Sequence, residues 1–197
     1  MRALRGLSMA MLPAVLRAML LAVAPAQALV RESLSYAYYD VNLRPGQRVM
    51  PVMRTATHLG PTPTGAALGQ TDPRITWTYD NAWGPNQTCR VNGATVDLAS
   101  VITLPRLRGA DAVQQAGFAT FIAALQVHEL GHHAIAREQA RAIDHVLRSL
   151  PASRDCQALV ELALQRTRYV MKQYEDKQAQ YDRDTGGGRT QGTWMNF

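Results

Sequence analysis

The chain has 197 residues and a formal net charge of +6 at pH 7. The segment 1–28 contains Arg2, Arg5 and Arg17 and no acidic residue, so the segment 29–197 carries a charge of +3 (6 − 3). Because this balance is mild and the basic residues are scattered, the sequence gives no case for a nucleic-acid partner. The segment 29–197 is long enough for one domain with a buried core.

The segment 1–28 has the features of an export signal. Arg2 and Arg5 charge the start, positions 19–24 are apolar, and Ala26-Gln27-Ala28 has the small-x-small pattern of a cleavage site. We expect cleavage after Ala28, which leaves residues 29–197 as a periplasmic or secreted domain. No uninterrupted run of ~18 apolar residues occurs, so an uncleaved anchor is disfavoured and we expect no stable membrane span.

Two cysteines, Cys89 and Cys156, lie in the predicted exported part. An even number of cysteines in an oxidising compartment predicts a disulfide, and two buried free thiols are the alternative. Neither cysteine has the spacing of a zinc-binding pair.

Residues 30–105 read as a β-rich region broken by turns. Stretches rich in β-branched and aromatic residues alternate with Pro-Gly, Gly-Pro and Asp-Pro pairs, and Asn92-Gly93 is the sharpest hairpin signal. We expect a small antiparallel or mixed sheet, with Trp77, Tyr79 and Trp83 in the core or lining a cleft, the core being favoured for the tryptophans. The predicted strands cover residues 36–43, 49–57, 75–79, 88–96 and 100–104.

Two helices are predicted after the sheet. Residues 111–149 contain no proline and have apolar residues at three- and four-residue spacings, which predicts one long helix. Pro151 breaks the chain, and Ser153 or Asp155 can cap a second helix that runs towards Asp182. The short connection predicts an antiparallel helix pair. The expected fold is therefore α+β, with the sheet packed on the long helix.

The long predicted helix carries the sequence His128-Glu129-Leu130-Gly131-His132, which has the form H-E-x-x-H. Residues four apart lie on one face of a helix, so His128 and His132 can bind one zinc ion. Glu129 can then serve as the general base for a zinc-activated water, which is the chemistry of peptide hydrolysis. A chance match is the alternative. Gly131 either allows a neighbouring backbone to approach closely or is merely tolerated.

A catalytic zinc usually takes three protein ligands, and the sequence leaves the third open. If the two helices are antiparallel, residues 171–175 come level with the motif, which makes Glu175 a candidate. Asp182 is the other acidic candidate. We assign the other histidines to packing or solvent, and we regard Tyr181 or Tyr174 as possible hydrogen-bond donors to an oxyanion, with simple packing as the alternative. The histidines set aside are His58, His133 and His145.

The tail reads Tyr181-Asp182-Arg183-Asp184-Thr185 and, shortly after, Gly188-Arg189-Thr190-Gln191-Gly192. Together with His-Glu-x-Gly-His and the cysteine after Pro151, these residues resemble a bacterial domain-of-unknown-function family described as predicted secreted zinc-dependent proteases. The similarity covers most of residues 29–197. It implies a zincin-like fold with His128 and His132 as zinc ligands and Glu129 as the base.

This chain departs from the family pattern at one residue of the tail. The family tail usually reads Tyr-Asp-x-x-Thr-x-His-Gly, in which the histidine would be a natural third ligand, whereas this chain has Gly187. Either Asp182 or Glu175 then completes the site, with Asp182 preferred, or the site binds metal weakly or not at all.

The sequence thus predicts an exported zinc metallopeptidase that acts on a peptide or protein substrate. The alternative is a degenerate zincin-like protein of the cell envelope that binds a peptide or a partner without cleaving it. A closed structural zinc site is less favoured, because such sites usually have four strong ligands. Nothing in the sequence describes the substrate, the specificity pocket or the oligomeric state.

Overall fold

The structure is a computed structural model that describes residues 30–62 and 65–194. The predicted signal segment, residues 1–28, lies outside the described residues. Within them the chain forms a three-stranded sheet, a two-stranded ribbon and three α-helices, so the predicted α+β class is confirmed. The elements are β1 (Val30–Asn42), α1 (Val49–Ala56), β2 (Pro61–Thr62), β3 (Gly65–Ala66), β4 (Gln70–Gly84), β5 (Thr88–Arg108), α2 (Ala112–Arg148) and α3 (Cys156–Thr185).

The three-stranded sheet is mixed and has the order β1-β5-β4. β1 runs parallel to the central strand β5, and β4 runs antiparallel to it. Alternate residues of β5 are buried, as expected for a strand with one covered face. They are Ala94, Val96, Leu98, Ser100, Ile102 and Leu104. The helix α2 packs against β5, so the sheet and the helices form two layers with the core between them.

Both long helices begin at an aspartate cap, which explains where they start. Asp111 accepts a hydrogen bond from the backbone N–H of Gln114, whose side chain bonds back to the Asp111 N–H, forming a capping box. Asp155 caps α3 by accepting from the N–H of Gln157. The two helices pack against each other as predicted.

The prediction of a strand at residues 49–57 was wrong, because Val49–Ala56 is the helix α1. Val49 and Met53, four residues apart, both bury their side chains completely, which is a helical spacing. Pro51 lies in the first turn, where a missing N–H is tolerated. The β-branched residues are thus accommodated in a short helix that is stabilised by packing.

The hairpin expected at Asn92-Gly93 was also wrong. Asp80 pairs with Gly93 and Asn81 pairs with Val91, so Asn92 is an extra residue that forms a β-bulge inside β5. The chain instead turns through the 3₁₀ segment Pro85–Gln87. The predicted strands at 88–96 and 100–104 therefore form one continuous strand.

Only two of the three expected core aromatics are in contact with the core. Trp77 and Tyr79 pack against the buried cluster between the sheet and the helices. Trp83 is 63% exposed near the β4–β5 turn, so its assignment to the core was wrong.

Cys89 and Cys156 form the predicted disulfide, which links the start of β5 to the first turn of α3. Beside this disulfide, Ser153 and Cys89 are joined by two backbone hydrogen bonds. Across the described residues, no helix combines the length and apolar character needed to cross a membrane.

We expect the Cys89→Ser, Cys156→Ser double variant to lose about 2–4 kcal/mol of unfolding free energy, because the disulfide joins cysteines that are 67 positions apart in the chain. Denaturant unfolding of the oxidised protein and of the variant measures this difference. A variant as stable as the parent would show that the helix pair alone holds the connection in place.

Candidate metal centre

The H-E-x-x-H residues lie on α2 and face a groove. His128 and Glu129 are buried, and His132 is largely buried. The Nε2 atoms of His128 and His132 lie 3.3 Å apart. The helical spacing therefore brings the two imidazoles together, as the sequence predicted.

The third group at this point is Asp182, from the last turn of α3. Its Oδ1 atom lies 3.3 Å from Nε2 of His128 and 3.0 Å from Nε2 of His132. Atoms bound at about 2.0–2.1 Å to a tetrahedral zinc lie about 3.3–3.4 Å from one another. The three ligand atoms thus have nearly the spacing of one face of a zinc tetrahedron, and the group can hold a metal ion.

Glu175, the other acidic candidate, lies elsewhere on α3. Its side chain is 75% exposed, and its Oε2 atom lies 3.6 Å from Nζ of Lys172. The expectation that residues 171–175 come level with the motif was wrong, since Gln178 contacts His132 and Asp182 contacts both histidines.

The axial offset of the two helices explains this difference. At 1.5 Å per residue, α2 continues for about 24 Å beyond His132 to its end at Arg148, whereas Gln178 lies about 33 Å from the start of α3 at Cys156. Because Gln178 is level with His132, α3 begins about 9 Å beyond the end of α2.

Glu129 is held beside the three ligand atoms by Thr71 of β4. The Thr71 hydroxyl lies 2.8 Å from Oε2 and 2.9 Å from the backbone oxygen of Glu129. Burial raises the pKa of the Glu129 carboxyl, and the hydrogen bond from Thr71 partly opposes this shift. A carboxylate with a raised pKa is better suited to accept and return a proton near neutral pH.

Two glutamines orient the histidines, and neither was predicted from the sequence to do so. Oε1 of Gln191 lies 2.9 Å from Nδ1 of His128, and Oε1 of Gln178 lies 2.6 Å from Nδ1 of His132. The Nε2 groups of both glutamines donate to other acceptors, the Tyr181 hydroxyl and the His132 carbonyl, so Oε1 is the acceptor in each case. Each imidazole therefore carries its proton on Nδ1 and leaves Nε2 free to bind a metal.

A signal for one of these glutamines was present in the sequence. Gln178, Tyr181, Asp182 and Thr185 follow one another at helical spacings, so they share one face of α3. Gln191 belongs to the tail motif and reaches His128 only because the chain turns back after α3.

The turn after α3 also brings backbone against the metal centre. Gly188 adopts the left-handed conformation at φ +83° and packs against the His128 ring. A Cβ at this position would lie 3.0 Å from Cγ of His128, so a larger residue would crowd the imidazole.

Tyr181 packs on both histidines. Its ring stacks on His128 at 5.2 Å and meets His132 edge-on at 4.9 Å. Its hydroxyl donates to the His128 carbonyl at 3.3 Å. A Cβ added to Gly131 would lie 2.0 Å from this hydroxyl, so the motif glycine admits the Tyr181 side chain. Tyr174 packs against the core instead.

The other histidines lie away from the three ligand atoms. His133 is buried and bonds to the Ser100 hydroxyl at 2.9 Å and to Glu32 at 3.0 Å. His58 packs edge-on to Tyr39. In the pair formed by His128 and His132, burial lowers the pKa of His128. The hydrogen bond between His128 and Gln191 partly opposes this shift.

The candidate metal centre, formed by His128, His132 and Asp182, opens into a groove of about 830 Å³. α1, the ribbon β2–β3 and residues 67–71 form one wall, α2 contributes Phe121, Leu125 and the motif, and residues 182–194 form a second wall. Gly187 also lines the groove, and a Cβ added there would meet no atom within 4 Å. The position at which the resemblance led us to expect a histidine therefore faces open space.

His128, His132 and Asp182 thus lie together in one groove, and Thr71 holds the Glu129 carboxylate beside them. Residues 36–188 match the model of a family described as a bacterial protein of unknown function (DUF922). The chain belongs to this DUF922 family. A search of curated proteins and a search of solved structures each gave no match.

We expect Gln178→Leu to weaken zinc binding about 10- to 100-fold, because leucine cannot hold the Nδ1–H of His132. A competition titration against a chromophoric chelator measures the change. Gln173→Leu is the matched control, since Gln173 bonds to Tyr169 on the same helix and lies away from the metal centre. Equal zinc affinity in the two variants would contradict the role given to Gln178.

Proposed function

We propose that this DUF922 domain is a zinc-dependent peptidase. The observation that carries the proposal is the near-tetrahedral spacing of the His128, His132 and Asp182 ligand atoms, with a buried glutamate held beside them. Two imidazoles and one carboxylate with the fourth position left open form the donor set of catalytic rather than structural zinc sites. The ligand assignment and the identity of the metal are parts of this proposal.

His128, His132 and Asp182 would hold the zinc ion, which would supply a Lewis acid for the scissile carbonyl and for water. Glu129 is the general base that accepts the proton from the attacking water and then delivers it to the leaving amine. Thr71 keeps the Glu129 carboxylate turned towards the groove. The glutamines hold the imidazoles with Nε2 facing the third ligand group.

The substrate is an extended peptide, because the groove borders an edge of the sheet. β4 is an outer strand in the order β1-β5-β4, and its residues Gln70 and Thr71 line the groove. The free backbone groups of an edge strand can pair with an extended peptide. The Cys89–Cys156 disulfide supports export to an oxidising compartment, the periplasm or beyond the cell.

The test is to measure metal content and peptide hydrolysis on the same purified protein. We expect about one zinc per chain and hydrolysis of a mixed peptide library that stops on chelation and returns with added zinc. Bound zinc without hydrolysis of any peptide would favour the alternative, a binding module of the cell envelope. A folded protein that binds no metal would refute the proposal.

A further inference from the structure

The groove carries an uneven distribution of charge. Arg54 of α1 lines one wall, and Arg183 and Arg189 line the other. Among the described residues that line the groove, the acidic side chains are Glu129 and Asp182. Both are already engaged, since Glu129 accepts from Thr71 and Asp182 lies against the two histidines. The remaining charge on the groove walls is therefore basic.

Two of these arginines are available to a ligand. Arg54 and Arg189 are exposed, and neither forms an ion pair with any residue in the described ranges. Arg183 donates to Oε1 of Gln180 and is partly occupied. Arg189 also borders a second cavity of about 470 Å³, which it lines together with the 60% exposed Trp194. Guanidinium groups on both walls can bind a carboxylate with paired hydrogen bonds.

Apolar side chains line the same groove as Arg54 and the candidate metal centre. Leu125 is one helical turn before His128 and Glu129 on α2, and Phe121 is one turn further. The apolar side chains that line this part of the groove are Met50, Leu59, Leu68, Phe121 and Leu125. A ligand that fills the groove thus meets the candidate metal centre, apolar side chains and guanidinium groups.

We infer that the groove selects peptides that carry a free carboxylate next to an apolar side chain, with Arg54 and Arg189 binding the carboxylate. This inference rests on the proposed peptidase function and names its substrate class. The carboxylate belongs either to an acidic side chain or to the carboxyl terminus of the peptide. Both sources have the same chemistry, and the peptides below distinguish them.

The experiment compares peptide pairs that differ by one charge. One pair has glutamate or glutamine beside an apolar residue, and a second pair has a free or an amidated carboxyl terminus. The full chain, purified after export, is assayed for kcat/KM on each peptide. The Arg54→Gln and Arg189→Gln variants are compared with Arg168→Gln, which removes the same charge from an exposed position on α3 outside the groove.

For at least one pair, we expect the kcat/KM of the full chain to be about tenfold higher on the charged peptide than on the uncharged one. This difference is larger than one exposed ion pair gives. Arg54→Gln or Arg189→Gln reduces this preference to about twofold, and Arg168→Gln leaves it unchanged. The pair that shows the preference identifies the source of the carboxylate. Equal kcat/KM within both pairs, or equal losses in all three variants, would overturn the inference.

A binding measurement separates this inference from the peptidase proposal. Fluorescence anisotropy with the same peptides and the Glu129→Gln variant requires no cleavage. We expect the charged peptide to bind more tightly at about 50 mM salt than at about 300 mM salt, because salt screens the contact between its carboxylate and the arginines. If the full chain cleaves no peptide but the variant binds the charged peptide better, the peptidase proposal fails, whereas the preference of the groove for a carboxylate stands. Equal binding of both peptides overturns the inference.

Discussion

Glu129→Gln is expected to lower peptide hydrolysis about 10²- to 10⁴-fold while zinc remains bound. Glu129 is not one of the three residues whose ligand atoms lie together. The glutamine amide therefore leaves those residues intact but cannot accept a proton from water. Hydrolysis rates and zinc content of the same preparation measure both effects. Glu161→Gln is the matched control, since Glu161 is exposed on α3 and bonds to Gln157 on the same helix.

The same substitution is expected to stabilise the metal-free protein at neutral pH. Burial raises the folded-state pKa of Glu129 above its ordinary value of 4.5, so the folded protein holds this proton more tightly than the unfolded chain. The stability that depends on this proton is present below the ordinary pKa and is lost as the pH rises through the folded value. Thermal unfolding at about pH 4 and about pH 7.5 should therefore show a larger gain for Glu129→Gln at the higher pH.

Unchanged hydrolysis in Glu129→Gln would contradict its role as the base. A loss of hydrolysis together with zinc would mean that the substitution damages the site, and the melting temperature distinguishes this outcome from a chemical effect. A control variant that loses activity equally would point to the assay.

Asp182→Ala is expected to weaken zinc binding by about a hundredfold or more, since a ligand contributes at least as much as a residue that only orients one. Its Oδ1 atom lies 3.0 Å and 3.3 Å from the two imidazole Nε2 atoms. Asp182 is half exposed, with 52% of its side chain accessible, so the variant should fold normally. Elemental analysis and a chelator competition measure stoichiometry and affinity.

Glu175→Ala is the matched control for Asp182→Ala, because it removes an acidic side chain from the same helix. It is expected to bind zinc with unchanged affinity, since Glu175 contacts Lys172 on the exposed face. If Asp182→Ala kept its zinc, the carboxylate would not be a ligand. Loss of zinc in Glu175→Ala alone would require a different arrangement of α3.

Features that depend on neighbouring residues could be predicted from the sequence. The long helix follows from its apolar periodicity and the absence of proline. The convergence of His128 and His132 needs only the 3.6-residue repeat of a helix. The disulfide follows from two cysteines and the compartment inferred for them.

Other local signals were real but had a different structural meaning. Asn92-Gly93 favours a tight turn, yet here it forms a bulge because β5 continues to pair with β4 on both sides of it. Residues 49–56 include the β-branched Val49, Val52 and Thr55, but burying Val49 and Met53 on the same side favours a helix.

The third member of the metal centre could not be fixed from the sequence. Glu175 and Asp182 both lie on α3, and the choice between them depends on the axial offset of α3 relative to α2. The connection at residues 149–155 sets that offset, because Ser153 pairs with Cys89 and the disulfide ties α3 to the start of β5.

A helix repeat fixes which residues share a face, whereas contacts between distant segments decide which turn of one helix faces which turn of another. The sequence alone therefore determined the histidine pair and its glutamate, and only the tertiary structure brought Asp182, Gln178 and Gln191 to them.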